Sequence, residues 1–186
     1  MKKVFVVGIA GGTSSGKTTF SNLLEQALCD LKVKNIHMDN YFKPEQMRPY
    51  AKAHVTQKMY VDNNHPTTVD LPQLEKDLAD AIDENEYDVI IVEGFLTLYD
   101  DEIYDMLDLK LYIECRADER IVRRIKRGIE RGRTFDQVAE VYLDMVRYRH
   151  DEYVESSKWR ADLILNGSTP SAKAFVIITD TIRASI

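Results

Sequence analysis

The sequence predicts a three-layer α/β/α fold around a five-stranded parallel sheet, and two observations carry that expectation. Short β-branched runs alternate with segments of helical periodicity, the pattern of a parallel sheet covered on both faces. The first of these runs, Val4-Phe5-Val6-Val7, leads into a glycine-rich loop. That loop matches G-x-x-x-x-G-K-[ST] at Gly11, Gly16, Lys17 and Thr18, and a helical pattern follows at once.

The loop is the organising stretch. A backbone that wraps a phosphate must turn its N–H groups inward, and glycine permits the dihedrals and the close approach. The following helix adds unpaired N–H groups and the positive end of its dipole. Lys17 can reach β- and γ-phosphates, and the Thr18 hydroxyl can ligate Mg²⁺. Gly11, Gly12, Thr13, Ser14, Ser15, Gly16, Lys17, Thr18 and Thr19 are therefore the nucleotide-binding candidates, and the fold expected is that of the P-loop NTPases. Gly12-Thr13-Ser14-Ser15-Gly16 also reads as G-x-S-x-G, the nucleophile elbow of serine hydrolases. That reading needs a histidine at a later strand end, whereas His150 lies in a helical stretch, and it leaves Lys17-Thr18 unexplained.

The remaining elements follow in order. Phe20, Leu23, Leu24, Ala27, Leu28 and Leu31 mark the first helix, with Cys29 on it. Lys34–Met38 is the second strand and ends at Asp39. Residues 40–68 hold three prolines and little apolar period, so a long irregular connection with one short helix is expected, of the functional kind. A helix over Leu71–Asn85 presents Leu71, Leu74, Leu78 and Ile82, with Asp70 as N-cap and Pro72 in its first turn. Asp88–Val92 is a buried strand ending in Glu93-Gly94. A short helix near Asp101–Met106, a strand over Leu109–Glu114, a basic helix, a helix from Phe135 to about Ser157 and a strand over Ala161–Leu165 complete the alternation. Ser168-Thr169-Pro170 opens the last helix.

Length and composition suit one domain over residues 1–186, with an arginine-rich lid near 116–134. Met1-Lys2-Lys3 followed by apolar residues imitates a signal peptide, but the run is short and flows into the phosphate loop, so a cytoplasmic protein is expected. No apolar run approaches a membrane span. Cys29 and Cys115 form no metal or redox spacing and read as reduced thiols. A net charge of −6 argues against nucleic acid as partner. The charge is uneven, at +5 between Arg116 and Arg133 and −11 elsewhere. The expected partner is a small-molecule acceptor with a free hydroxyl, and a homo-oligomer is compatible with the sequence.

Ligands of parallel α/β sheets sit beyond the carboxyl ends of the strands. The phosphate loop, Asp39, Glu93 and the basic stretch all fall there. Phosphoryl transfer needs held phosphates, a metal, a nucleophile and positive charge near the transferred group. Glu93 occupies the place of a magnesium carboxylate, and Asp39 can orient or deprotonate an acceptor hydroxyl. Arg124, Arg127, Arg131 and Arg133 can close over phosphates, with Gly128 and Gly132 supplying backbone freedom.

With these residues in place, the chain resembles the uridine kinase family of P-loop nucleoside kinases, the branch shared with phosphoribulokinase and pantothenate kinase. The carriers are residues 8–19, Asp39-Asn40-Tyr41-Phe42-Lys43, His65-Pro66, Val92-Glu93-Gly94-Phe95, Arg123 to Arg127, Glu130 to Arg133, and Arg160 to Leu165. The resemblance implies ATP and Mg²⁺ as cofactors and phosphorylation of a sugar 5′-hydroxyl, that of uridine, cytidine or a related ribosyl compound. It implies Lys17, Asp39 and Arg127 as catalytic, with Asp39 the base. Thr18 and Glu93 would hold the metal, Arg131 and Arg133 the nucleotide, and Phe42, Asn64, His65 and Arg124 the acceptor. The loop after Leu165 would lie near adenine. Three positions depart from the family. Asn64 stands where an Asp holds the ribose, with Asp62 and Asp70 as nearby substitutes. The pyrimidine-reading hairpin before the Glu93 strand is absent, and Gly128 replaces a lid Asp.

Overall fold

The computed structural model describes residues 4–186, so the signal-peptide imitation at Met1-Lys2-Lys3 lies outside the described residues. Five parallel strands form the central sheet: β1 (Phe5–Gly11), β2 (Val33–His37), β5 (Val89–Glu93), β6 (Leu109–Glu114) and β7 (Leu163–Asn166). Their spatial order is β2-β5-β1-β6-β7. β1 therefore lies at the centre, with Ile9 in register with Glu93 on one side and Leu111 on the other. The order reverses at β1, which places the phosphate loop at the switch point where such sheets bind ligands.

The three layers follow from side-chain alternation. Val7, Ile9, Val89 and Ile91 pack on helices α1 (Lys17–Ala27) and α7 (Ala172–Ser185), through Leu24, Leu28, Ile178 and Ile182. Val6, Ala10, Ile90 and Val92 pack on the other face against α2 (Leu71–Glu84) and α3 (Asp101–Asp105), through Leu74, Leu78 and Ile103. The central strands β1 and β5 are covered on both faces and read as apolar runs. Each such buried aliphatic side chain contributes roughly 1.5–3 kcal/mol.

Several boundaries differ from expectation. α1 stops at Ala27, so Cys29 stands past its end, exposed. Asp70 occupies the N-cap of α2, but its side chain makes no cap hydrogen bond. The last helix begins at Ala172, capped by the Ser171 side chain, two residues later than the Ser-Thr-Pro signal suggests.

The connection over 40–68 is more ordered than its composition suggests. It holds 3-10 turns at Met38–Tyr41, Glu45–Met47 and Pro66–Thr68, and an antiparallel hairpin of β3 (Tyr50–Lys52) and β4 (Met59–Val61). Exposed Tyr50 and Met59 and the short strands hid the hairpin from pattern reading. No strand intervenes between α2 and β5, in keeping with the missing hairpin there.

The basic stretch is helix α4 (Ala117–Glu130), with Asp118 and Glu119 at its positive end and Arg127 near its negative end. A turn through Gly132 (φ +80°) leads to α5 (Phe135–Val141), which Thr134 and Gln137 start with a capping box. The helix then runs on through π turns at Tyr142–Val146 and His150–Glu155, separated by α6 (Arg147–Arg149), and ends in a 3-10 turn at Ser156–Arg160. Gly128 has a different reason from the backbone freedom expected of it. A Cβ there would stand 2.5 Å from Val138 Cγ2, so Gly128 lets α4 and α5 touch.

Candidate active site

The phosphate loop runs from the end of β1 into α1. Gly11 (φ +153°), Ser14 (φ +60°) and Gly16 (φ +105°) take positive dihedrals, and Ser15 N–H donates to Gly12 C=O at 3.1 Å. Gly16 is the N-cap of α1 and offers no side-chain cap, which leaves the first helical N–H groups for an anion. The Ser14 and Ser15 hydroxyls are buried with no hydrogen-bond partner. No histidine bonds to Ser14 among the described residues, so the serine-hydrolase elbow has no base.

Glu93 closes β5 beside this loop. It is 2% exposed, and its Oε1 accepts from Thr18 Oγ1 at 3.1 Å and lies 2.9 Å from His37 Nδ1. Its Oε2 is buried and unpartnered. A carboxylate oxygen left so beside a hydroxyl and a phosphate loop fits a divalent cation that takes few protein ligands and otherwise phosphates and water. Among the described residues no cluster of three or more His, Cys, Asp or Glu offers a denser site.

A cavity of about 170 Å³ opens between the loop and the 40–68 connection. Lys17, Thr18, Asp39, Phe42, Asn64, Arg124 and Arg127 all line it. Asp39 reaches it from the 3-10 turn that ends β2. Phe42 and Phe95 stack across it with centroids 6.2 Å apart and planes 16° from parallel. Arg124 donates to Thr13 Oγ1 at 2.8 Å and Arg127 to the same oxygen at 3.3 Å. Burial, with Arg127 and Arg133 nearby, lowers the Arg124 pKa to about 10. A half-buried cation short of counter-charge is a seat for an anion.

Of the acceptor and lid candidates, three stand outside this cavity. His65 caps the turn at Pro66–Thr68 through Nδ1 and packs edge-on against Tyr153. Arg131 ends α4, exposed, and Arg133 lies by Lys58 and Glu140 at a separate surface pocket. Of the substitutes for Asn64, Asp62 is buried with both oxygens engaged, by the N–H groups of Asn64 and His65 and by Arg149. Asp70 lies at the start of α2 and does not line the cavity.

On the far side of the loop lies a largely apolar cleft of about 550 Å³ lined by Gly16, Phe20, Leu165, Gly167, Pro170 and Phe175. Arg123 pins its rim by donating to Gly167 C=O at 3.0 Å. The loop after Leu165, which the resemblance sets near adenine, lines this cleft, together with Phe20 and Phe175, which meet edge to face and were not among the site candidates. Sequence reasoning also missed His37, Arg120 and His150. His37 is paired in register with Glu93, and that register was the one signal available. Arg120 and His150 pack on Gly12, where a Cβ would stand 2.6 Å from Arg120 Nη1 and 2.9 Å from His150 Cε1.

Residues 73–172 match the sequence profile of the Phosphoribulokinase / Uridine kinase family. The chain belongs to that family. A uridine kinase of Clostridium botulinum (strain Okra / Type B1) is 37% identical over 183 residues, covering 89% of each chain. A uridine kinase of Geobacillus kaustophilus (strain HTA426) is 34% identical over 203 residues, covering 100% of this chain and 94% of that one. Among solved structures, a putative fructose transport system kinase from Silicibacter sp. TM1040 aligns with a TM-score of 0.69 at 18% identity, over 88% of this chain and 90% of that one. A possible uridine kinase from Bacillus stearothermophilus aligns at 0.60 and 18%, over 88% and 89%. These structures share the fold. As a family member, the chain is a kinase that uses ATP to phosphorylate a nucleoside-like hydroxyl. No helix among the described residues is long and apolar enough to cross a membrane.

Proposed function

We propose that the acceptor is a ribonucleoside, uridine or cytidine first, phosphorylated on its 5′-hydroxyl in the cavity that holds Asp39. The observation that carries this is the composition of one small cavity. Lys17 and Thr18 of the phosphate loop, the Asp39 carboxylate, the stacked Phe42 and Phe95 and the Asn64 amide share its walls. An aromatic pair suits a flat base, an amide suits sugar hydroxyls, and a carboxylate suits the reacting hydroxyl. The relatives above, named uridine kinases, support the same acceptor.

In this reading Asp39 accepts the proton of the acceptor hydroxyl and aims it in line with the γ-phosphate. Lys17 and the loop N–H groups hold the β- and γ-phosphates, and Thr18 and Glu93 hold Mg²⁺. The metal held there would supply positive charge to the phosphate oxygens. Arg127 answers charge developing on the transferred group, and Arg124 spans phosphate and acceptor. Helix α4 and its turn act as a lid that brings Arg131 and Arg133 toward the nucleotide. The adenine lies in the apolar cleft that Phe20 and Phe175 help to line.

One observation favours a second reading, in which the base is not a pyrimidine. The chain has no hairpin between α2 and β5, and the β3–β4 hairpin lies in a different connection. An ADP-release assay with Mg²⁺ across uridine, cytidine, nicotinamide riboside, pantothenate, ribulose 5-phosphate and no acceptor separates the readings. Turnover on uridine or cytidine, abolished by Asp39→Asn with ATP binding retained, upholds the first. Turnover only on another ribosyl compound upholds the second. Equal ATP turnover with and without every acceptor refutes both.

A further inference from the structure

The hairpin connection is strapped to the helix that follows α4 at two points. Asp144, buried, accepts from Thr56 N–H at 3.1 Å, Thr56 Oγ1 at 2.5 Å and Tyr60 OH at 3.2 Å. Arg149 Nε donates to Asp62 Oδ2 at 2.7 Å. Asp144 and Arg149, five residues apart on that helix, thus serve one partner segment, residues 56–62.

Both oxygens of Asp62 are engaged within the fold. Its side chain is 1% exposed, and Oδ1 accepts the N–H groups of Asn64 and His65, both at 3.1 Å. Those bonds curl the chain so that Asn64 lines the cavity while His65 turns to Tyr153. A buried carboxylate holds such a turn only if its charge is answered, and Arg149 answers it. Arg149 is itself fixed by Glu152, which accepts from Nη1 at 2.6 Å.

We propose that Asp62 and Arg149 form a positioning pair that sets acceptor selectivity by building the turn that delivers Asn64. This rests on reading the Asp39 cavity as the acceptor site. Arg149 never meets the acceptor; it acts through Asp62, and Asp62 through Asn64.

The test is steady-state kinetics with uridine and ATP on the full chain, with melting temperatures recorded in parallel. Arg149→Met raises the uridine KM between about tenfold and a hundredfold, as misplacement of a contact group does, and leaves the ATP KM within twofold. Arg149→Lys, which keeps the charge, recovers part of the loss. Asp62→Asn, which keeps an acceptor for both N–H groups, stays milder than Arg149→Met. In an Asn64→Ala background Arg149→Met costs almost nothing more, because the two act in series. Amide exchange at Asn64 and His65 accelerates in Arg149→Met. An unchanged uridine KM in Arg149→Met, or an equal rise in both KM values, overturns the proposal. If the cavity itself is misread, Phe42→Ala and Asn64→Ala also leave the uridine KM unmoved. If only the pairing is misread, those two raise it and Arg149→Met does not.

Discussion

His37 and Glu93 stand opposite each other on neighbouring strands, with His37 Nδ1 2.9 Å from Glu93 Oε1. Thr18 donates to that same oxygen, so Oε2 alone remains open. Glu93→Gln keeps the shape and removes the charge that a cation needs, and kcat falls by at least about a hundredfold. His37→Ala frees Oε1 to turn, and the loss is nearer tenfold with a higher Mg²⁺ requirement. ADP binding measured with and without Mg²⁺ checks both variants, because only the difference between the two conditions shrinks.

Arg124 carries charge that its surroundings do not answer. Its Nε is buried without a partner, and Arg127 and Arg133 add repulsion. Arg124→Met therefore leaves the ligand-free protein about as stable or slightly more stable, since it removes a half-buried cation set beside two other arginines. Activity falls in the same variant, and so does the rise in melting temperature on adding ATP and Mg²⁺. Thermal melts with and without nucleotide show the two effects with opposite signs.

The sheet was legible where a strand is buried on both faces, so Val89–Glu93 reads directly as a β-branched run. The phosphate loop was legible because its chemistry fixes residue types at fixed spacing. The acceptor side was not. Its hairpin exposes Tyr50 and Met59 and is held by Asp144 and Arg149, more than eighty residues away in sequence. No local pattern encodes such a partnership. Gly128 was misread for a similar reason: its cause is Val138, on the next helix.

His150 makes the fold sensitive to acid. Burial, with Arg120 beside it, lowers its pKa to about 4, although Glu155 Oε2 lies 3.2 Å from Nε2. The unfolded chain takes up this proton near pH 6.5 and the folded chain only near 4. The stabilising contribution is therefore complete above pH 6.5 and is lost as pH falls toward 4. Over that window the loss is about 3 kcal/mol, since each pKa unit is worth about 1.4 kcal/mol. His150→Gln cannot titrate, and its stability curve is flatter over the same range. Urea unfolding at pH 7.0, 6.0, 5.0 and 4.5 compares the two slopes, and parallel curves would remove His150 as the cause.

The close approach at Gly128 sets the angle at which α4 carries Arg124 and Arg127 over the phosphate loop. Alanine in mid-helix normally stabilises by about 1 kcal/mol relative to glycine. Here its Cβ would lie 2.5 Å from Val138 Cγ2, and overpacking of that kind costs about 1–3 kcal/mol. Gly128→Ala is expected to destabilise on balance and to lower kcat by displacing both arginines. Val138→Ala removes the opposing methyl groups at its own cost, and in that background Gly128→Ala becomes stabilising by about 1 kcal/mol as helix propensity takes over. Chemical denaturation of the four proteins in this cycle tests the sign change. A gain from Gly128→Ala beside the intact Val138 would show that the helices yield there, and α4 would then carry no fixed angle to disturb.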